Sequence, residues 1–143
     1  MKLCNVYERN GTIFVQSLSQ TKQGFWVASG EVTVLPPVAH VAEIGSAVKD
    51  AIGRSTLSDE NAETNGHDEK LLKAAKVRSW TAFGKGAGCV SIEADRSYSI
   101  TPNRNLGPKG GFEPIANRTV DIPRTTPAPE LGARIMDVVK RCE

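Results

Sequence analysis

The stretch EIGSAVKDAIGRS, residues 43–55, recurs as ELGARIMDVVKRC, residues 130–142, without a gap and 87 positions later. Glu43, Gly45, Asp50 and Arg54 return as Glu130, Gly132, Asp137 and Arg141. The offset holds upstream: Arg9, Ile13 and Lys22 match Arg96, Ile100 and Lys109, Gly24 and Phe25 match Gly111 and Phe112, and Pro36 matches Pro123. Ten identities fall within residues 1–56, where composition alone gives roughly three or four. Both stretches are amphipathic helices by spacing. Ile44, Val48, Ala51, Ile52 and Ser55 share one face, and Leu131, Ile135, Val138, Val139 and Cys142 share the matching one. Glu43 and Glu130 fall in the first turns, where the helix dipole favours an anion. Asp50 precedes Arg54 by four residues, as Asp137 precedes Arg141, a spacing that allows ion pairs on the outer surface.

Working outward, each helix is preceded by strands. Lys2–Glu8 alternates and meets Arg9-Asn10-Gly11, after which Thr12–Leu18 is β-prone. Asn-Gly between two such runs is the strongest short hairpin signal. Gly24–Val27 and Glu31–Leu35 read as a third strand, stopped by Pro36-Pro37. In the second copy Cys89–Ala94 alternates, Asp95-Arg96-Ser97 turns, and Tyr98–Ile100 pairs back. Residues 101–111, TPNRNLGPKGG, read as a long loop. Phe112–Ile115 and Arg118–Ile122 repeat the later strands. Between the copies, TLSDENAETNGH at 56–67 is a polar connector, and residues 68–78 form a middle helix with Leu71, Leu72 and Ala75 on its apolar face.

These elements predict a single α+β domain over residues 1–143. Units 1–56 and 88–143 are joined by a linker and middle helix at 57–87. The sheet is mainly antiparallel, because both units open with hairpins, and about three helices (43–55, 68–78 and 130–142) pack on it. The expected core is Ile13, Phe25, Val34, Ile44, Val48, Ile52, Trp80, Val90, Ile92, Ile100, Phe112, Leu131, Ile135 and Val139.

The composition is that of a globular protein, 39% hydrophobic and 24% charged. Nothing approaches the ~18 apolar residues of a membrane span, and the N-terminal MKLCNVYERNG has no signal-peptide core. Cys4, Cys89 and Cys142 are too scattered for a disulfide framework or a metal-ligand spacing, which predicts reduced thiols and a cytoplasmic location. Net charge is +2, split into −3 over residues 1–71 and +5 over residues 72–143. Such a split marks either a charged partner or merely different solvated faces.

Catalytic signals are weak. Gly84-Lys85-Gly86-Ala87-Gly88 lacks phosphate-loop spacing and precedes a strand, so a flexible loop is the simpler reading. Gly107–Gly111 reads as a mobile hairpin tip. His40 and His67 have no third ligand, so no metal or cofactor is expected. Cys89 sits in an alternating strand and is better read as buried than nucleophilic. No GxSxG elbow occurs. Trp26, Trp80, Phe25, Phe83 and Phe112 beside Arg78 and Lys85 would suit base stacking, but the recurrence of Phe25 as Phe112 argues for core.

The run Leu71-Leu72-Lys73-Ala74-Ala75-Lys76-Val77-Arg78-Ser79-Trp80 is followed by Phe83, Lys85, the strand Cys89–Glu93 and then Ser99-Ile100-Thr101-Pro102. Together with the paired E-[IL]-G-x-x-x-x-D helices, this pattern resembles the CdiI immunity proteins of bacterial contact-dependent growth inhibition, over nearly the whole chain. The resemblance implies a non-enzymatic cytoplasmic protein. It would bind the C-terminal toxin domain of a cognate CdiA effector, often a nuclease, and mask its active site or substrate surface. The partners of basic nucleases are often acidic, whereas this chain has a pI near 8.5. Either its acidic N-terminal portion binds, or the toxin is not strongly basic. The expected toxin contacts are Asp59, Glu60, Glu63, Asp68 and Glu69 as anionic anchors, with Lys85, Arg104 and Lys109 on loops. The alternative function is a small nucleic-acid-binding module that uses the basic C-terminal half; an enzyme of another kind ranks third.

Overall fold

The computed structural model describes residues 1–56, 69–108 and 110–143. The chain runs β1 (Lys2–Arg9), β2 (Thr12–Gln20), β3 (Trp26–Leu35), α1 (Val41–Arg54), α2 (Glu69–Ala75), α3 (Trp80–Gly84), β4 (Gly88–Ala94), β5 (Ser97–Asn105), β6 (Phe112–Pro114), a 3-10 turn (Ala116–Arg118), β7 (Val120–Pro123) and α4 (Ala128–Val139). The strands form one antiparallel sheet in the order β3-β2-β1-β4-β5-β6, with β7 also paired to β5. The order is that of a two-fold repeat. The two opening strands meet at the centre, and each half builds outward through a hairpin.

Register locates the axis of that repeat. Val6 faces Val90 across the central β1–β4 pair. A two-fold axis perpendicular to the sheet must pass through such a residue pair, or it would exchange the two faces. With Val6 matched to Val90, 84 positions apart, the partner strands match at 87, Ile13 with Ile100. The difference of three is absorbed in the hairpins. Arg9 pairs with Thr12 around a two-residue loop, Asn10-Gly11, whose φ angles of 53° and 84° are those of a type I′ turn. The matching residues Glu93 and Ser99 enclose five.

Alternation divides the side chains between two layers. On one face Cys4, Val6, Ile13, Val15, Val90, Ile92 and Ile100 pack against Ile44, Val48, Ala51 and Ile52 of α1 and Leu131, Ile135 and Val138 of α4. On the other, Tyr7, Phe14 and Cys89 pack against Leu71 of α2 and Phe83 of α3. Central β2 is therefore buried on both sides, which suits its TIFV run.

The first turns of α1 and α4 cross in backbone contact. A Cβ on Gly45 would lie 1.9 Å from the Ala128 carbonyl oxygen, and one on Gly132 would lie 1.8 Å from that of Val41. The contact is reciprocal, since Val41 and Ala128 are themselves repeat equivalents. The far ends of the two helical segments are pinned alike. Buried Ser55 donates to the Leu18 carbonyl at 2.5 Å and accepts the Leu3 N–H at 3.0 Å, and its counterpart Cys142 donates to the Cys89 carbonyl at 3.2 Å. Ser17 adds a hydroxyl bond to the Ala51 carbonyl.

Several expectations need correction. Phe25 is 62% exposed and Val34 45% exposed. Phe25 belongs to a turn in which the Thr21 N–H donates to its carbonyl and Thr21 Oγ1 accepts its N–H, so backbone geometry holds it outside the sheet. Val34 lies on the edge strand, on the face away from α1. Trp80, Phe112 and Val139 are half-buried. The helix expected over 68–78 stops early. Lys76 adopts φ 59°, and the Val77 N–H returns to the Leu72 carbonyl, closing a Schellman-type end before Ser79 caps α3 through the Ala82 N–H. Residues 101–105, expected in a loop, continue β5 despite Pro102. Its carbonyl points toward the outer strand, where it accepts the Ile115 N–H. The missing N–H points the same way, beside the 3-10 excursion rather than into the ladder. Neither Asp50–Arg54 nor Asp137–Arg141 forms an ion pair.

Gly45→Ala or Gly132→Ala is expected to lower stability by about 3 kcal/mol or more, since backbone cannot move aside like a side chain. Gly53→Ala is the control: its Cβ would meet nothing, and a gain of about 0.5–1 kcal/mol is expected. Urea unfolding of the three variants checks both signs. The thiols add a pH test. Burial pushes Cys4 up to about 12, with the Arg54 charge opposing, and raises Cys89 well above the ordinary thiol range. A folded pKa above the unfolded one gives stability that is complete below about 9 and is lost as pH rises toward 12. Unfolding midpoints should therefore fall across that window, and less steeply in Cys4→Ala compared at equal starting stability.

Candidate partner-binding surface

The face opposite α1 and α4 carries a groove of about 500 Å³ between α3 and the β5–β6 loop. Its walls come from two short segments. Trp80, Gly84 and Lys85 form one side; Gly107, Pro108 and Phe112 form the other. The aromatic walls are fixed from behind. Trp80 stacks on fully buried Phe83, with centroids 5.4 Å apart and planes at 25°. Tyr7 meets Trp80 edge-on at 6.3 Å and Phe83 edge-on at 5.3 Å, and Phe112 stands perpendicular to Trp80 at 6.1 Å. Such edge-to-face sets hold ring orientations, so the groove is largely formed before anything enters it.

One polar residue holds both lips. Asn105 Nδ2 donates to the carbonyls of Gly84 (2.7 Å) and Ala87 (3.1 Å), while its Oδ1 accepts the Gly107 N–H at 2.9 Å. The GKGAG segment, expected as a flexible loop, is thus tied to β5, with Gly86 at φ 73° making its bend. Neighbouring Asn103 is 3% exposed and donates to the Cys89 carbonyl and Ser91 Oγ. Neither asparagine is among the residues expected from the sequence to form a site. The available signal was a pair of amides two residues apart in an extended stretch, which places both on one face.

The expected contact residues are not brought together. Lys85 lies exposed at the groove. Arg104 is on the other face, within salt-bridge distance of Glu113 (3.6 Å) and Glu143 (3.5 Å), and Arg118 joins Glu143 at 3.0 Å. Glu143 also bonds through its backbone to Asn103 and Asn105, so Arg104 helps anchor the last residue. Glu69 is exposed in the first turn of α2, beside β3 rather than at the groove. Lys70 next to it pairs with Glu31 at 2.9 Å, and that hydrogen bond with the Lys70 charge lowers the Glu31 pKa. Asp59, Glu60, Glu63, Asp68 and Lys109 lie outside the described residues. Among the described residues no three His, Cys, Asp or Glu side chains cluster as metal ligands, and no helix is long and apolar enough to cross a membrane. The stacking surface imagined from five aromatics does not assemble. Phe83 is core, Phe25 stands apart in the 21–25 turn, and only Trp80 and Phe112 reach the groove.

No family model and no curated protein matches this chain. Solved structures do. A Neisseria meningitidis protein of unknown function superposes with a TM-score of 0.81 at 16% identity, covering 99% of this chain and 95% of that one. A chain of a CdiA-CT/CdiI toxin and immunity complex from Yersinia pseudotuberculosis superposes with a TM-score of 0.82 at 16% identity, covering 99% and 97%. The fold is shared end to end with both.

Replacing Asn105 by Ala removes three hydrogen bonds, those to the Gly84 and Ala87 carbonyls on one lip and the one from the Gly107 N–H on the other. A loss of about 1–3 kcal/mol is expected. Amide exchange at Gly107 should quicken more than in the β1–β4 centre, which mass-spectrometric hydrogen exchange reads directly.

Proposed function

We propose that this chain is an immunity protein, which binds the C-terminal toxin domain of a CdiA-type effector and neutralises it by stoichiometric association. The observation that carries the reading is the end-to-end fold match to a chain of a toxin and immunity complex. The sequence pattern resembling CdiI supports it independently. A preformed aromatic groove also suits a binding protein, because aromatic anchors in fixed pockets dominate protein interfaces. The cytoplasm is where such a protein would meet its toxin, and a nuclease is the toxin class the resemblance favours.

A second reading, a nucleic-acid-binding module, draws on the basic segment from α2 into β4. Residues 70–92 hold five Lys or Arg and no Asp or Glu.

Co-expression with the protein fragment encoded by the adjoining upstream reading frame separates the two. The immunity reading expects a 1:1 complex and cells protected from the fragment's toxicity. No complex and no protection, with salt-sensitive binding to generic RNA instead, would replace it by the second.

A further inference from the structure

We infer that the groove between α3 and the β5–β6 loop receives a protein partner's loop carrying one apolar side chain flanked by carboxylates. This rests on the toxin-binding reading and names the surface that would do the binding.

Shape and lining select the apolar part. A pocket of about 500 Å³ accommodates a large side chain and part of its backbone. Trp80 and Phe112 present rings already locked against Tyr7 and Phe83. Asn105 fixes both lips, so little ordering remains to be done on binding.

Charge selects the flanks. Of the five cations in residues 70–92, Lys70 is occupied by Glu31. Lys73, Lys76, Arg78 and Lys85 are exposed, and none of them forms an ion pair among the described residues. Lys73 lies in α2, Lys76 and Arg78 in the turn between α2 and α3, and Lys85 directly after α3; these helices pack on the groove's own side of the sheet, and of the four cations Lys85 lines the groove itself. An acidic segment is the complement of that surface, and complementary charge speeds and orients association.

A strand of bases fits less well. Sequence-tolerant nucleic-acid binding stacks successive bases on successive rings. Here one face of Trp80 is taken by Phe83, and Phe112 stands perpendicular to it. The groove offers one slot, not a ladder.

The test measures affinity between the full chain and the upstream-encoded fragment. Lys85→Glu reverses the charge at the lip, and Thr81→Trp fills the mouth from an exposed position on α3. Each should weaken binding by about tenfold or more, and the Lys85→Glu loss should shrink as salt rises. Arg134→Glu, exposed on α4 on the far side, should bind like the parent. Equal urea midpoints establish that the variants fold. Both groove variants binding like the parent would overturn the inference while leaving the toxin reading in place. A parent chain that binds no fragment would remove both. RNA binding or self-association abolished by Lys85→Glu would give the groove a different occupant and equally overturn it.

Discussion

The architecture hangs on one contact, the crossing of two helices close enough for their backbones to touch. Gly45 and Gly132 leave no room for even a methyl group against the carbonyls of Ala128 and Val41. Two helices at that distance behave as one rigid layer, and a rigid layer fixes how far apart the two sheet halves can stand. The crossing also brings together two helix N-termini, each with a partial positive charge. Glu43 and Glu130 in those first turns offset that charge. The invariance of E-x-G between the copies therefore has two physical causes, one electrostatic and one steric.

The same reciprocity explains why the repeat tolerates unequal hairpins. A two-fold axis through the Val6–Val90 pair demands that matched residues keep the same face of the sheet. An offset of 87 throughout would place Cys4 opposite in sense to Ser91, one facing the helices and the other away. The longer second hairpin restores parity, because an odd shift in the turn converts 87 into 84 in the opening strand. Parity, rather than turn chemistry, is the constraint the hairpin lengths satisfy.

This accounts for what was legible in the sequence. Helical periodicity and the repeated glycines identified α1 and α4, and Asn-Gly identified the first hairpin. The antiparallel α+β arrangement followed from them. Phe25 misled because recurrence was taken to mean burial, whereas its copy Phe112 is half-buried only through Trp80 and Tyr7, which lie outside that local match. The groove was not legible for a related reason. Asn105 bonds to Gly84 and Ala87, about twenty residues upstream, and no local pattern announces that pairing. Lys85 and Arg104 both read as loop cations, yet Arg104 lies in β5, where alternation turns it to the face opposite the groove that Lys85 lines.

What remains is where the symmetry fails. In the second copy the outer strand is split into β6 and β7 by a 3-10 excursion, and β5 runs on into the Gly107–Gly111 turn. Between the copies lie α2 and α3, which have no repeat counterpart. Of these departures, α3 and the extended end of β5 with its following turn make the groove. The repeated parts satisfy one another: helix to helix, helix end to strand, strand to strand. The unrepeated parts finish with a preformed slot and four exposed cations that nothing among the described residues neutralises. In this chain those unrepeated parts are aromatic and basic, with Asn105 tying both lips of the groove and Tyr7 and Phe83 backing its rings.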